Sequence, residues 1–331
     1  MHNLETYLTK KNRSIFDTYS TGMSINERIK NIIDVYPKYS IKRYLIFIFN
    51  LLCNLNPPLF NNKYKDLSKD ILFILNFDTK GKYLFLFHKF STKGKIYIYQ
   101  FNNSGNLETF TKFNTNSLFH KKLENEKNVI GRLKKKDLNF DIPEVIKFSI
   151  EKHFSFITYK ALRKPQNLLD KSIPYPLEII DSIKSLKISK NKEFFFDLKT
   201  LIEIKKRINN DKLKRFIEQI DFYRTLNSYP AHCDLGSENT FFDTSSKKKK
   251  YTVIDWEDFS EVAPLGVDEV GVWLGRNHKI IKSIFFKFRK KSLLNNFFIF
   301  FSKSKIGLEA SIISLLFLVK KENDLAEMIC N

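Results

Sequence analysis

Cysteine is scarce: Cys53, Cys233 and Cys330 are the only three in 331 residues. They lie too far apart for a CxxC metal or redox motif, and an odd, sparse count argues against a secreted disulfide scaffold. A reducing, cytoplasmic setting is the expectation. Long apolar runs are missing too. Leu45 to Cys53 and Ser311 to Val319 each reach about half of the ~20 residues a spanning helix needs, and Asn50 interrupts the first. Both read as buried helices, so no transmembrane segment is expected. A peripheral membrane contact is left open at the first, because Lys42, Arg43 and Tyr44 precede it. Met1 to Ser14 is polar and charged, without the apolar core of a signal peptide. Internal repeats are absent. Acid is in deficit.

What is present describes a folded protein. With 43% hydrophobic and 28% charged residues, the chain has the composition of a packed domain, and wholesale disorder is excluded. Its length suits two modest domains or one large bilobal one. The net charge of +21, from 57 Lys+Arg against 36 Asp+Glu, raises the question of a polyanionic partner. A nucleic-acid footprint should concentrate on one face or helix. Here the basic residues are dispersed, and the one dense run, Lys247 to Lys250, sits in a polar loop. Lys, Asn, Ile and Phe are abundant together along the whole chain, which is compositional drift. Nucleic acid is not the expected partner.

The pattern along the chain implies an α+β fold in two lobes. Residues 1–70 read as a mainly helical extension, with Ile25, Ile29, Ile32 and Ile33 at helical spacing. Residues 71–160 read as an antiparallel meander with one helix. Its strands are Ile71 to Phe77, Tyr83 to Phe87, Ile96 to Tyr99, Leu107 to Phe113, Val145 to Ser149 and Phe154 to Tyr159. The helix runs from about Ser117 to Leu133. Residues 161–331 read as mainly helical around a small hairpin formed by Phe241-Phe242 and Tyr251 to Ile254. Leu177, Ile180, Ile183 and Leu186 form one stripe there, and Leu201 to Tyr223 another, broken near Asn209-Asn210-Asp211. A cleft between two such lobes is where a ligand is expected.

The strongest local signal is Ala231-His232-Cys233-Asp234-Leu235-Gly236-Ser237-Glu238-Asn239, followed by Thr252-Val253-Ile254-Asp255-Trp256-Glu257. It contains H-x-D-x-x-x-x-N and then an apolar strand ending in Asp. Both segments resemble the catalytic loop and metal-binding strand of the aminoglycoside phosphotransferase and choline kinase family, whose fold is protein-kinase-like. Phosphoryl transfer from ATP needs a hydroxyl held in line and a divalent metal on the phosphate oxygens. By this resemblance Asp234 is the catalytic base, Asn239 and Asp255 are magnesium ligands, and His232 braces the loop. Ala263-Pro264-Leu265-Gly266-Val267-Asp268 resembles a further family segment, in which Asp268 would brace the same loop.

Upstream the resemblance implies a strand lysine paired with a helix glutamate. Lys112 at the end of a strand and Glu126 in Glu126-x-x-Val129-Ile130-x-x-Leu133 fit, with Lys95 and Glu124 as rivals. Ser91 to Lys95 would be the nucleotide-covering turn. It holds one glycine, Gly94, and so departs from G-x-G-x-x-G. Ile157 to Leu162 would be the hinge between lobes. Cys233 stands where the family has glycine, which strains the loop if positive φ is needed there.

The expected function is thus ATP-dependent transfer of phosphate to a hydroxyl of a small molecule, with ATP and Mg as cofactors. The acceptor could be an aminoglycoside, choline or ethanolamine, or a sugar. Glu257, Asp258 and Glu261 form a local acidic cluster but do not choose among these. Two other readings stay open: a non-catalytic binding protein on a kinase-like fold, and a basic nucleic-acid-binding protein. The oligomeric state is not set by the sequence.

Overall fold

The computed structural model describes residues 18–23, 62–87, 95–162, 166–168, 174–186, 193–194, 196–222, 226–243, 251–281, 286–321, 326 and 330. The chain divides into two compact units: Met1–Lys127 with Pro143–Arg163, and Asn128–Ile142 with Lys164–Asn331. The apolar run Leu45 to Cys53, the turn at 91–94 and the lysine run Lys247 to Lys250 lie outside the described residues, as does most of the 1–70 segment.

The first unit is built on an antiparallel sheet of β1 (Thr18–Thr21), β2 (Lys82–Phe87), β3 (Lys95–Phe101), β4 (Leu107–Asn114), β5 (Val145–Ile150) and β6 (Ser155–Lys160). Their order is β1-β2-β3-β4-β6-β5. Turn chemistry sets the meander. Asp78 accepts from the Lys80 amide at 2.9 Å ahead of β2, and Asn102 accepts from the Asn106 amide at 2.9 Å between β3 and β4. Gly105 supplies the positive φ (+76°) that the second turn requires. Alternation then sorts the side chains. Tyr83, Phe85, Ile96, Ile98, Phe113 and Phe156 form one buried face. Lys112, opposite Tyr97 and Ile157, belongs to the other.

Two expectations for the N-terminal part need correction. Thr18–Thr21, expected to be helical, is an edge strand paired with β2 in the register Thr18↔Leu86 to Thr21↔Tyr83; its Thr-Tyr-Ser-Thr sequence is strand-prone. Ile71 to Phe77, expected to be a strand, closes helix α1 (Asn62–Ile74) and its C-terminal turn. The deciding period is four: Leu67, Ile71, Leu72 and Leu75 are buried against the sheet, whereas Phe73 is 84% exposed. A strand would have put Phe73 on the same face as Ile71 and Leu75. Asn76, at φ +53°, ends the helix in a Schellman turn, with the Phe77 amide reaching the Leu72 carbonyl at 2.9 Å. Ile71→Ala should cost about 2–5 kcal/mol in a chemical-denaturation series, since its side chain is fully enclosed.

Helix α2 (His120–Leu133) follows β4 and carries Leu123, Val129, Ile130 and Leu133 as its buried stripe. The second unit continues through β7 (Gln166–Leu168), α3 (Leu177–Lys184), β8 (Glu193–Phe194), α4 (Leu198–Arg207), α5 (Asp211–Gln219), β9 (Leu226–Ala231), β10 (Thr240–Asp243), β11 (Tyr251–Val253) and β12 (Ser260–Pro264). It ends with α6 (Val267–Ile281), α7 (Phe286–Ser302) and α8 (Leu308–Lys320). The expected break at 209–211 is found, and Asn210 causes it by capping α5, accepting from the Leu213 amide at 3.1 Å. The α3 stripe is shifted. Leu177 is 62% exposed, and Ile179 joins Ile180 and Ile183 inside because Pro176 fixes the helix start. In α8, Ser311 to Val319 are all buried, as expected of a core helix. No helix among the described residues is long and apolar enough to cross a membrane. The α+β class expected from the sequence is the class observed.

Candidate active site

Two short antiparallel pairings in the second unit assemble the loop that carries Asp234. β9 pairs with β12, Ala231 opposite Ser260, and delivers the chain into His232. β10 pairs with β11, Thr240 opposite Val253, and the Ile254 amide then donates to the Asn239 carbonyl at 3.0 Å. That bond places the residue before Asp255 beside Asn239. Asn239 Nδ2 donates to both the main-chain oxygen of Asp234 (2.8 Å) and its Oδ2 (2.9 Å), closing the loop on itself. Asp234, Asn239 and Asp255 are therefore brought together.

His232 has no solvent exposure and both its ring nitrogens are engaged. The Asp234 amide can only donate, so His232 Nδ1 accepts from it at 3.3 Å and Nε2–H donates to the Ile254 carbonyl at 2.9 Å. The ring packs on Trp256 (centroids 4.6 Å apart), and Trp256 stacks in turn on Phe140. His232 braces the loop. Asp268, near the start of α6, does so from beneath: Oδ2 accepts from the His232 amide at 3.0 Å and Oδ1 from the Cys233 amide at 2.9 Å. Burial pushes its carboxyl up to about 7, against the pull of those two donors.

Asp234 lies in an acidic neighbourhood. Loss of surrounding water, then the carboxylate of Asp255, then that of Asp258, push its pKa up to about 7, while the Asn239 hydrogen bond pulls the other way. Its outer edge remains exposed, which softens the desolvation but not the sign, since the acidic neighbours act in the same direction. Glu261 is not an open member of this acidic group, because Arg132 of α2 pairs with it.

Cys233 does adopt positive φ, at +68°. Its side chain is buried, its Sγ donates weakly to the Ala231 carbonyl at 3.5 Å, and burial holds the thiol well above its ordinary range. Cys233→Gly should melt within a few degrees of wild type. Relief of about 1–2 kcal/mol of left-handed strain offsets the lost packing. Cys233→Val should melt clearly lower, because branching at Cβ aggravates the same strain.

In the first unit, Lys112 on β4 meets Glu126 on α2. The Lys112 Nζ donates to Glu126 Oε1 at 3.0 Å and Oε2 at 2.9 Å, and Glu126 is fully buried. Lys112 Nζ also lies 6.0 Å from the Tyr159 ring centroid. Lys95 instead lies over the Phe119 ring, 4.9 Å from its centroid. Of the candidate lysines and glutamates, the geometry joins Lys112 with Glu126.

Sequence reasoning missed the residues that support this site. Tyr175 bonds to Thr240 across 65 positions, and Lys184 pairs with Glu269 beside Asp268. None of these contacts has a local sequence signature.

The loop braced from α6 and the strand lysine bonded to a helix glutamate are the two arrangements that the sequence resemblance implies. No protein-family model and no curated protein sequence matches the chain. Among solved structures it is similar to LicA in complex with AMP, at 14% identity and a TM-score of 0.44, over 79% of this chain and 89% of that one. It is also similar to the aminoglycoside phosphotransferase APH(2'')-Ib with ADP bound, at 15% identity and a TM-score of 0.38, over 73% and 93%. The streptomycin–ATP–APH(2'')-IIa ternary complex is a third, at 15% and 0.38, over 80% and 98%. At these identities and scores the likeness carries no ligand or residue role to this chain.

Proposed function

We propose that the chain is an ATP-dependent phosphotransferase that moves the γ-phosphate to a hydroxyl of a small molecule. The observation that carries this is the convergence of Asp234, Asn239 and Asp255 on one braced loop. The acceptor oxygen attacks the γ-phosphorus, the bond to the β-phosphate oxygen breaks, and ADP leaves. Asp234 orients the hydroxyl and takes its proton.

The donor set fits magnesium. Asn239 spends its amide hydrogens on Asp234, which leaves Oδ1 as its ligand atom, and Asp255 adds a hard carboxylate. The Asp255 carboxylate, which after desolvation contributes most to the raised pKa of Asp234, exerts the kind of repulsion a divalent cation relieves. Bound there, magnesium would neutralise charge on the phosphate oxygens. In the first unit Lys112, held by Glu126, is the proposed cation for the nucleotide's phosphates. Aminoglycosides, choline or ethanolamine, and sugars are the acceptor classes to screen.

Calorimetry with Mg-ATP tests the reading. Wild type should bind saturably and only with the metal, and Asp255→Ala should lose that binding while staying folded. A well-folded wild type that binds no nucleotide would overturn the assignment and favour a non-catalytic binding protein.

A further inference from the structure

Asn239 is held at nearly every polar atom it has. Its amide donates to the Gly236 carbonyl at 3.1 Å, its carbonyl accepts from Ile254, and both hydrogens of Nδ2 go to Asp234. The Gly236 carbonyl is the focus of this turn, because it also accepts from Thr240 Oγ1 at 3.0 Å. Thr240 has no exposure, and its hydroxyl owns a single hydrogen, already spent on Gly236. The 2.7 Å contact between Thr240 Oγ1 and the Tyr175 hydroxyl therefore runs one way, with Tyr175 donating. The result is a directed chain: Tyr175 O–H to Thr240 O–H to the Gly236 carbonyl, which in turn receives Asn239. Tyr175 is itself buried immediately before the Pro176 start of α3. Its phenol anchors the turn to a different element from those that form it.

We infer that Tyr175 and Thr240 are positioning residues that fix the Gly236–Asn239 turn and so aim Asn239 Oδ1 at the divalent metal. This rests on the reading of Asn239 as a magnesium ligand. Without the Tyr175 hydroxyl, the buried Thr240 oxygen loses its donor, and its own bond to the Gly236 carbonyl loses the polarisation and the fixed geometry that donor supplies. The weakened hold falls on the carbonyl that also receives the Asn239 amide.

The test compares wild type with Tyr175→Phe, Thr240→Val and Thr240→Ser, each carrying out Mg-dependent ATP binding in a magnesium titration. Tyr175→Phe keeps the ring and Thr240→Ser keeps the hydroxyl, so both should fold. The magnesium concentration for half-saturation should rise about 10-fold in Tyr175→Phe and Thr240→Val, the scale of losing an outer-sphere partner of a metal ligand. Thr240→Ser should restore it to near wild type. Combining Tyr175→Phe with Thr240→Val should add little, because both break one chain. Lowered melting temperatures with an unchanged magnesium requirement would reduce the pair to ordinary packing and overturn the inference. Hydrogen exchange at the Asn239 amide separates this from failure of the functional reading. Should wild type bind no Mg-ATP, faster exchange there in Tyr175→Phe still supports the clamp, and unchanged exchange removes it.

Discussion

Asp234→Asn should lower kcat by about 10²- to 10⁴-fold, the usual worth of a positioned general base. Mg-ATP affinity should stay close to wild type. The substitution preserves shape: an amide oxygen at position 234 can still accept from Asn239 Nδ2, as Oδ2 does at 2.9 Å. What disappears is a group able to take the acceptor's proton. The wild-type pH profile makes the second half of the case. Asp234 must be ionised to act, and its pKa is pushed up to about 7, so kcat/KM should climb with pH through that region and level off above it. Raising magnesium should move this limb to lower pH, because a cation near Asp255 opposes the effect of its carboxylate.

Stability should run the other way with pH. A carboxyl raised from 3.8 to about 7 binds a proton in the folded state over a range where the unfolded chain has released it. Asp234 thus favours folding at low pH, and that contribution is lost as pH rises through about 7. Melting curves of Asp234→Asn between pH 4 and 8 should show a flatter decline than wild type. An unchanged slope together with unchanged kcat would remove Asp234 from the site.

The loop could be read in the sequence because its geometry is local. Asp234 and Asn239 share one turn, and Asp255 returns on the next strand of a hairpin, so the motif whose resemblance singles them out is a contiguous stretch of sequence. Lys112 and Glu126 are reached through the same resemblance, with Lys95 and Glu124 as rivals, and a strand end and the helix after it can meet with only a short connection. Contacts fixed by tertiary packing left no such trace. Arg132 meets Glu261 across 129 positions, and that pairing takes one residue out of an apparently open acidic cluster. Tyr175 reaches Thr240 from a segment that reads only as a helix start. The Ile71 to Phe77 run failed differently: it is dense in large apolar residues, and only the exposure of Phe73 separates a period of four from a period of two.

The buried pair of Lys112 and Glu126 offers the sharpest contrast between stability and function. Glu126→Ala should destabilise the protein by about 3–5 kcal/mol, because it leaves the Lys112 ammonium enclosed without its carboxylate. Lys112→Met should cost a comparable amount by stranding the fully buried Glu126. Replacing both together, Lys112→Met with Glu126→Leu, removes the charge and refills the space. Such exchanges are often neutral or stabilising by about 1–4 kcal/mol. The double variant should therefore melt near or above wild type while losing Mg-ATP binding. That combination separates a pair kept for the nucleotide from one kept for the fold. A stable double variant with wild-type nucleotide affinity would show that Lys112 does not touch the phosphates.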